Sequence, residues 1–356
     1  MNFGLKINRK TDRISHSEVL FFIAYEYNLS MKIIRTIMAS FIIFCTIFTI
    51  TIGYKKIGVE KLKNPLEYKG IITVWQIDGF EGGSGSRKQF LLSMAREFEK
   101  QNQGVLVMVI NHTFTSAEQN ILSGIYPDII SYSNGLDIKN MLSINTTRCA
   151  GGGNVGQKTY ATAWCRGGYV LIKNIDATDK EQNTILVSQG KSTQPLLAMH
   201  LEGIEFDNIE VLSPMDAYTK FTLGKNSYLL GTQRDVVRLT NRGANFTATP
   251  LTTFNDLYQY LALTTSDANK GVYAKRFIDY LLSDYVQEKL YKINMFSPYI
   301  DVDFDIECLN DMQSYNNFLT ISAFYPFEIL GEIQNQSLSA LKGNKNAINY
   351  VKNLLI

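Results

Sequence analysis

Histidine is scarce in this chain. His16, His112 and His200 are the only three in 356 residues, and none has a partner at the spacing of a catalytic triad or a metal site. Cysteine is nearly as rare: Cys45, Cys149, Cys165 and Cys308 show no zinc-type or redox-type spacing. Cys149 and Cys165 lie sixteen positions apart and could pair in an exported protein. An excess of one charge is lacking too. With 35 Lys and Arg against 33 Asp and Glu the net charge is +2, so no strong field argues for a nucleic-acid partner. There is no internal repeat.

Motifs of enzyme chemistry are approached and missed. Ser188-Gln189-Gly190-Lys191-Ser192 resembles the end of a phosphate-binding loop, but Ile185 stands where the first glycine is required. Gly82-Gly83-Ser84-Gly85-Ser86 misses a nucleophile elbow because its last position is serine. Asp301, Asp303, Asp305 and Glu307 alternate like a calcium loop, yet Ile306 and Met312 hold the Gly and Glu positions. That run reads as an exposed edge. No metal or cofactor is implied.

What the chain has in quantity is length and rings. At 356 residues it can build two lobes with separate cores. Twenty Tyr and twenty Phe suit a binder of flat, hydroxylated ligands, although most of these rings must be core. Thr36 to Tyr54 is an uncharged, mostly apolar run of nineteen residues, close to the roughly 20 needed to span a bilayer. Met31-Lys32-Ile33-Ile34-Arg35 before it looks like the basic start of a signal segment. No small-residue cleavage site follows, and Phe44 before Cys45 does not suit a lipoprotein signal. An uncleaved anchor and a signal peptide both stay open. Either way the body is read as exported, since long domains translocate largely regardless of flanking charge.

The stretch Gly70 to Gly104 organises the rest. Ile71-Ile72-Thr73-Val74-Trp75 is long enough for a strand buried on both faces. The polar, glycine-rich loop Asp78 to Ser86 follows, then Phe90, Leu91, Met94, Ala95 and Phe98 at helical spacing, with Ser84 or Ser86 able to cap the start. Val105 to Ile110 is a second strand; Thr115-Ser116-Ala117-Glu118 makes a capping box for a short helix; Pro127 to Tyr132 supplies a third strand. Sequential units of this kind imply a parallel sheet, and such sheets bind ligands beyond the carboxyl ends of their strands. Residues 133–158 read as loop, 160–172 as a strand interrupted at Arg166–Gly168, and 175–215 give no clear period. Tyr228-Leu229-Leu230 is a further strand, with Val236, Val237 and Leu239 beginning a helix. Val272, Phe277, Ile278, Leu281 and Leu282 mark an amphipathic helix, and Leu338 to Leu355 close the chain at helical spacing.

Taken together these pieces resemble the bacterial extracellular solute-binding proteins of ABC importers, family 1, the sugar-binding type. Ile72 to Val109 matches that family's first strand, helix and second strand, and Pro127 to Ile130 its third strand. Gly156 to Asn174 looks like the crossing between lobes, Phe221 to Arg238 like a second-lobe strand and helix start, and Pro250 to Pro298 like the return. The resemblance implies an α/β, two-lobed periplasmic-binding-protein-like fold of type II after an N-terminal hydrophobic helix, each lobe a mainly parallel sheet flanked by helices. It implies the following divisions: a leader over 1–35 with a possible start at Met31, an anchor or signal over 36–54, a linker over 55–69, lobe I at 70–163 and 251–300, and lobe II at 164–250 and 301–356.

The resemblance also places four loops at an inter-lobe cleft. Trp75, Asp78, Glu81 and Ser84 come from the first, Ser131 and Tyr132 from the third strand. Trp164, Arg166 and Tyr169 come from the crossing, and Gln233, Arg234 and Asp235 from the second lobe. Rings stack on sugars, while acids, amides and arginines bond hydroxyls. Arg166, Arg234 and Arg238 equally suit an anionic ligand. The implied function is capture of a small solute, a carbohydrate above all, and delivery to ABC permease subunits at the extracytoplasmic membrane face or after secretion, without catalysis. A membrane-anchored sensor with the same lobes is the alternative, and a hydrolase with Asp78 and Glu81 as its acid pair is a further one.

Overall fold

The computed structural model describes residues 35–44, 68–178, 183–224 and 226–356. The chain divides into two compact units, Met1–Pro65 and Leu66–Ile356. In the first, residues 35–44 form helix α1. The expected leader over 1–34, the second half of the apolar run and most of the 55–69 linker lie outside the described residues. No described helix is long and apolar enough to cross a membrane.

The second unit opens with β1 (Gly70–Ile77), α2 (Arg87–Gln101), β2 (Val105–His112), α3 (Phe114–Leu122) and β3 (Ile129–Tyr132). Ser86 caps α2, its hydroxyl accepting from the Gln89 N–H, and Phe90, Leu91, Met94, Ala95 and Phe98 all turn to the core. Helix α3 starts two residues before the expected capping box: Thr113 is the cap, its side chain accepting from the Ser116 N–H. A loop with a two-strand ribbon, β4 (Asn154–Val155) and β5 (Lys158–Thr159), leads to β6 (Ala161–Arg166). There the chain leaves the first sheet through Gly167 and Gly168.

The second sheet is laid down by β7 (Tyr169–Asn174), β8 (Thr184–Ser188), β9 (Asn208–Leu212), β10 (Tyr228–Thr232) and β11 (Phe246–Pro250), with α4 (Pro195–Glu202), α5 (Pro214–Thr222) and α6 (Gln233–Asn241) between them. The chain then returns to the first sheet as β12 (Tyr258–Leu263), followed by α7 (Ala268–Leu281), α8 (Asp284–Gln287) and a 3-10 helix (Glu288–Ile293). Helices α9 (Glu307–Ser314), α10 (Phe327–Leu341) and α11 (Lys345–Lys352) complete it. The carboxyl-terminal helical run is broken in two at Gly343, whose φ is 84°.

The sheet orders are β2-β1-β3-β12-β6 and β11-β7-β10-β8-β9. In the first, only β12 runs against its neighbours β3 and β6; in the second, only β7 runs against β10 and β11. Each sheet is thus mainly parallel, and each contains one strand that enters directly after a crossing. The crossings are tied together: Arg166 and Phe296 exchange both backbone hydrogen bonds, at 2.9 and 3.0 Å. Val302 and Phe304 are buried while Asp301, Asp303 and Asp305 face water, so the alternating acids are the exposed side of an irregular segment. Cys149 and Cys165 do not pair: both are free thiols, Cys149 exposed and Cys165 buried inside β6.

Candidate functional site

Strand β1 ends by turning into a loop that its own polar groups hold. The Asp78 carboxylate accepts from Gln76 Nε2 at 2.9 Å and Arg87 Nε at 2.6 Å, and Arg87 Nη2 donates to the Phe80 carbonyl at 2.5 Å. Gly83 has φ 67°, and a Cβ there would sit 1.9 Å from the Ile293 carbonyl oxygen, so only glycine fits. The Ser84 N–H donates to that same oxygen at 3.0 Å. The loop is thereby pinned to the 3-10 helix of its own lobe.

From the other lobe, β10 ends at Thr232 and α6 begins at once. Thr232 and Asp235 form a capping box in which the Asp235 carboxylate accepts from the Thr232 N–H at 2.9 Å. Asp235 is buried, and burial raises its pKa to about 6 although the Thr232 N–H and Arg238 pull the other way. Arg234 and Arg238 lie one turn apart and both face Glu81 across the gap, at 3.6 and 3.5 Å. Thr232 Oγ1 donates to the Glu81 carbonyl at 3.3 Å, and Ser192 Oγ donates to the Gly79 carbonyl.

These walls enclose a cavity of about 420 Å³. The carboxyl end of β1, with the loop leading to the first turn of α2, forms one side. The carboxyl ends of β8 and β10, with the loops that follow, form the other. It is the position in which α/β sheets hold ligands. Behind it, Tyr169 donates its hydroxyl to Asp256 at 2.6 Å and accepts from the Gln194 N–H at 2.9 Å. Burial raises the Asp256 pKa to about 7, and its second carboxylate oxygen has no partner.

Of the twelve residues expected at a cleft, Asp78, Glu81, Tyr169, Arg234 and Asp235 line this cavity. The other seven do not. Trp75 packs its ring 4.5 Å from that of His112, and Trp164 stacks on Phe90 while its indole N–H donates to Ser131. Tyr132 is buried against Tyr260, and Ser84 accepts from Asn294. Gln233 accepts from the Gly168 N–H, holding the crossing. Arg166 is buried between Phe296 and Phe318 and donates to the carbonyls of Gln313 and Tyr315. The cavity also takes Phe80, Ser86, Arg87, Ser188, Thr193 and Thr232, which sequence reasoning passed over. The signal for Ser188 and Thr193 was present: an apolar run, then a polar glycine loop, then proline opening a helix.

Among the described residues, no group of three or more His, Cys, Asp or Glu could hold a metal ion. No protein-family model and no curated protein matches the sequence. Solved structures do match the fold. The GacH receptor of Streptomyces glaucescens, described unliganded and with acarbose, is 14% identical with a TM-score of 0.54, over 81% of this chain and 99% of that one. The galacto-N-biose-/lacto-N-biose I-binding protein of an ABC transporter from Bifidobacterium longum is 12% identical with a TM-score of 0.53, over 82% and 96%. A GABA receptor is 13% identical with a TM-score of 0.53, over 76% and 97%. The fold is the two-lobed periplasmic-binding-protein-like fold.

Proposed function

We propose that this protein is the extracytoplasmic solute-binding component of an ABC importer, that its solute is a carbohydrate, and that it makes and breaks no bond. The observation that carries the reading is the cavity itself, walled by strand ends from both sheets and backed by the crossings that join the lobes. On this reading the lobes meet where the chain leaves the first sheet after Arg166 and returns to it between Pro250 and Tyr258. One lobe holds the solute first, and the other closes over it. Structural likeness to receptors solved with oligosaccharides supports a sugar. Both carboxylates of the hydrolase alternative are committed to arginines, Asp78 to Arg87 and Glu81 to Arg234 and Arg238. The residues that would touch the solute are Asp78, Glu81, Tyr169, Arg234 and Asp235, with Arg87 and Thr232. The apolar run at 36–54 would tether the protein to the membrane, and permease subunits would receive the closed form.

The test is a thermal-shift screen of the full chain against neutral sugars, amino sugars, sugar acids and oligosaccharides. A ligand at 100 times its Kd adds about 2.7 kcal/mol of stability. A saturable shift without turnover of the ligand supports a carrier; no shift across the panel overturns the carbohydrate assignment.

A further inference from the structure

The cavity lining carries one unmet donor, while behind it the second carboxylate oxygen of Asp256 is an unmet acceptor. Among the described residues that line the cavity, Arg87 Nη1 is the single buried polar side-chain atom with no hydrogen-bond partner. Arg87 is 5% exposed; its Nε donates to Asp78 and its Nη2 to the Phe80 carbonyl. A buried guanidinium nitrogen left unpaired is costly, so the site is arranged for an acceptor. Gly85 and Ser86 line the same wall, where the first-turn N–H groups of the fifteen-residue α2 add positive potential.

The carboxylates that line the cleft do not reach Nη1: Asp78 meets Arg87 through Nε, and Glu81 and Asp235 have other partners. Asp78 accepts from Gln76 and Arg87, Glu81 faces Arg234 and Arg238, and Asp235 accepts from its own helix start. The ring platforms expected for a neutral sugar are missing as well. Both tryptophans are buried outside the cavity, Tyr169 is 2% exposed, and the Arg87 guanidinium lies 4.4 Å over one face of Phe80. A ligand here is held by charge and hydrogen bonds more than by stacking.

Resting on the carrier reading above, the geometry points to an acidic saccharide as cargo: a sugar bearing a carboxylate or phosphate, whose oxyanion is received by Arg87 and the first turn of α2. Arg234, which lines the cavity and faces Glu81, closes on the remainder of the ligand from the second lobe. Charge-assisted bonds of this kind are about twice as strong as neutral ones, and Arg is suited to planar oxyanions.

The experiment is calorimetric titration of the full chain with matched ligands: galacturonate, its methyl ester and galactose; glucuronate and glucose; and glucose 6-phosphate. The acids should bind at least about tenfold tighter than ester or parent sugar, and the preference should shrink as salt is raised. Which of the carboxylate and phosphate arms responds distinguishes the two sources of the oxyanion. The ester series needs no change to the protein, so it holds even if Arg87 variants fold poorly. In Arg87→Lys the preference for the acid over its ester should fall. Equal binding of ester, parent and acid overturns the acidic assignment and leaves the carrier standing; binding of none of them also overturns the acidic assignment, while the carrier reading falls only if the wider sugar panel is silent too.

Discussion

Asp256 is the residue at which burial and charge are most directly opposed. Its unfolded pKa is about 3.9, and burial lifts the folded value to about 7. Between those values the folded state holds the proton more tightly than the unfolded one. The Asp256 contribution to stability is therefore greatest on the acid side, falls as pH rises from about 4 to 7, and levels off above. Asp235, raised to about 6, contributes in the same direction over a narrower window. Asp256→Asn can still accept from Tyr169 without carrying the charge. Its melting midpoint should exceed the parent's at pH 8, and the gap should close as the pH is lowered to 5. Parallel profiles for the two proteins would show that Asp256 does not titrate as argued. Gly83 makes a second residue-scale case, because both its positive φ and the Ile293 carbonyl forbid a side chain. Gly83→Ala should lower stability by about 1–3 kcal/mol and weaken ligand binding with it. Gly243→Ala, equally positive in φ but with open space around it, should leave binding unchanged.

Elements were legible where one face is buried and the other wet. The α2 pattern predicted its buried residues correctly, and the strand-loop-helix reading of 70–104 placed the loop that lines the cleft. The stretch 175–215 gave no period for a physical reason: β8 is buried along its whole length, and Pro195 to Met199 of α4 are all buried, so neither carries an amphipathic rhythm. The same cause hid the fate of the tryptophans. A Trp at a strand end reads alike whether it opens to a ligand or meets Phe90, and only the packing of α2 on β6 decides. Charged residues at the cleft rim were easier, since Glu81 in its loop and Arg234 in the first turn of α6 have no core to enter. Helix caps are separable from the site. Asp267 caps α7 by accepting from the Asn269 and Lys270 N–H groups, away from the cleft. Asp267→Ala should cost about 1 kcal/mol in denaturant unfolding and leave ligand affinity as it was. A change in affinity would mean that α7 transmits strain to the cleft.

At the scale of the molecule, the question is what holds the two lobes together when no solute is bound. Across the cleft stand the Glu81 pairs with Arg234 and Arg238, the Thr232 bond to the Glu81 carbonyl and the Ser192 bond to the Gly79 carbonyl. Glu81 and Arg234 are each over a third exposed on their side chains, and ion pairs of that kind contribute about 0–1 kcal/mol each. Contacts this weak bias closure without locking it, so a solute that contacts both walls can shift the balance by its extra interactions in the closed state. On the proposed reading Glu81 also occupies arginines that the anion would engage, so removing it should loosen the empty protein and free donors at once. Glu81→Gln should therefore increase the radius of gyration without ligand, measured by small-angle X-ray scattering, and high salt should do the same to the parent. Saturating ligand should return both to the compact value. If the empty variant is as compact as the parent at every salt concentration, closure rests on the crossings and the backbone contacts, and Glu81 serves the ligand alone.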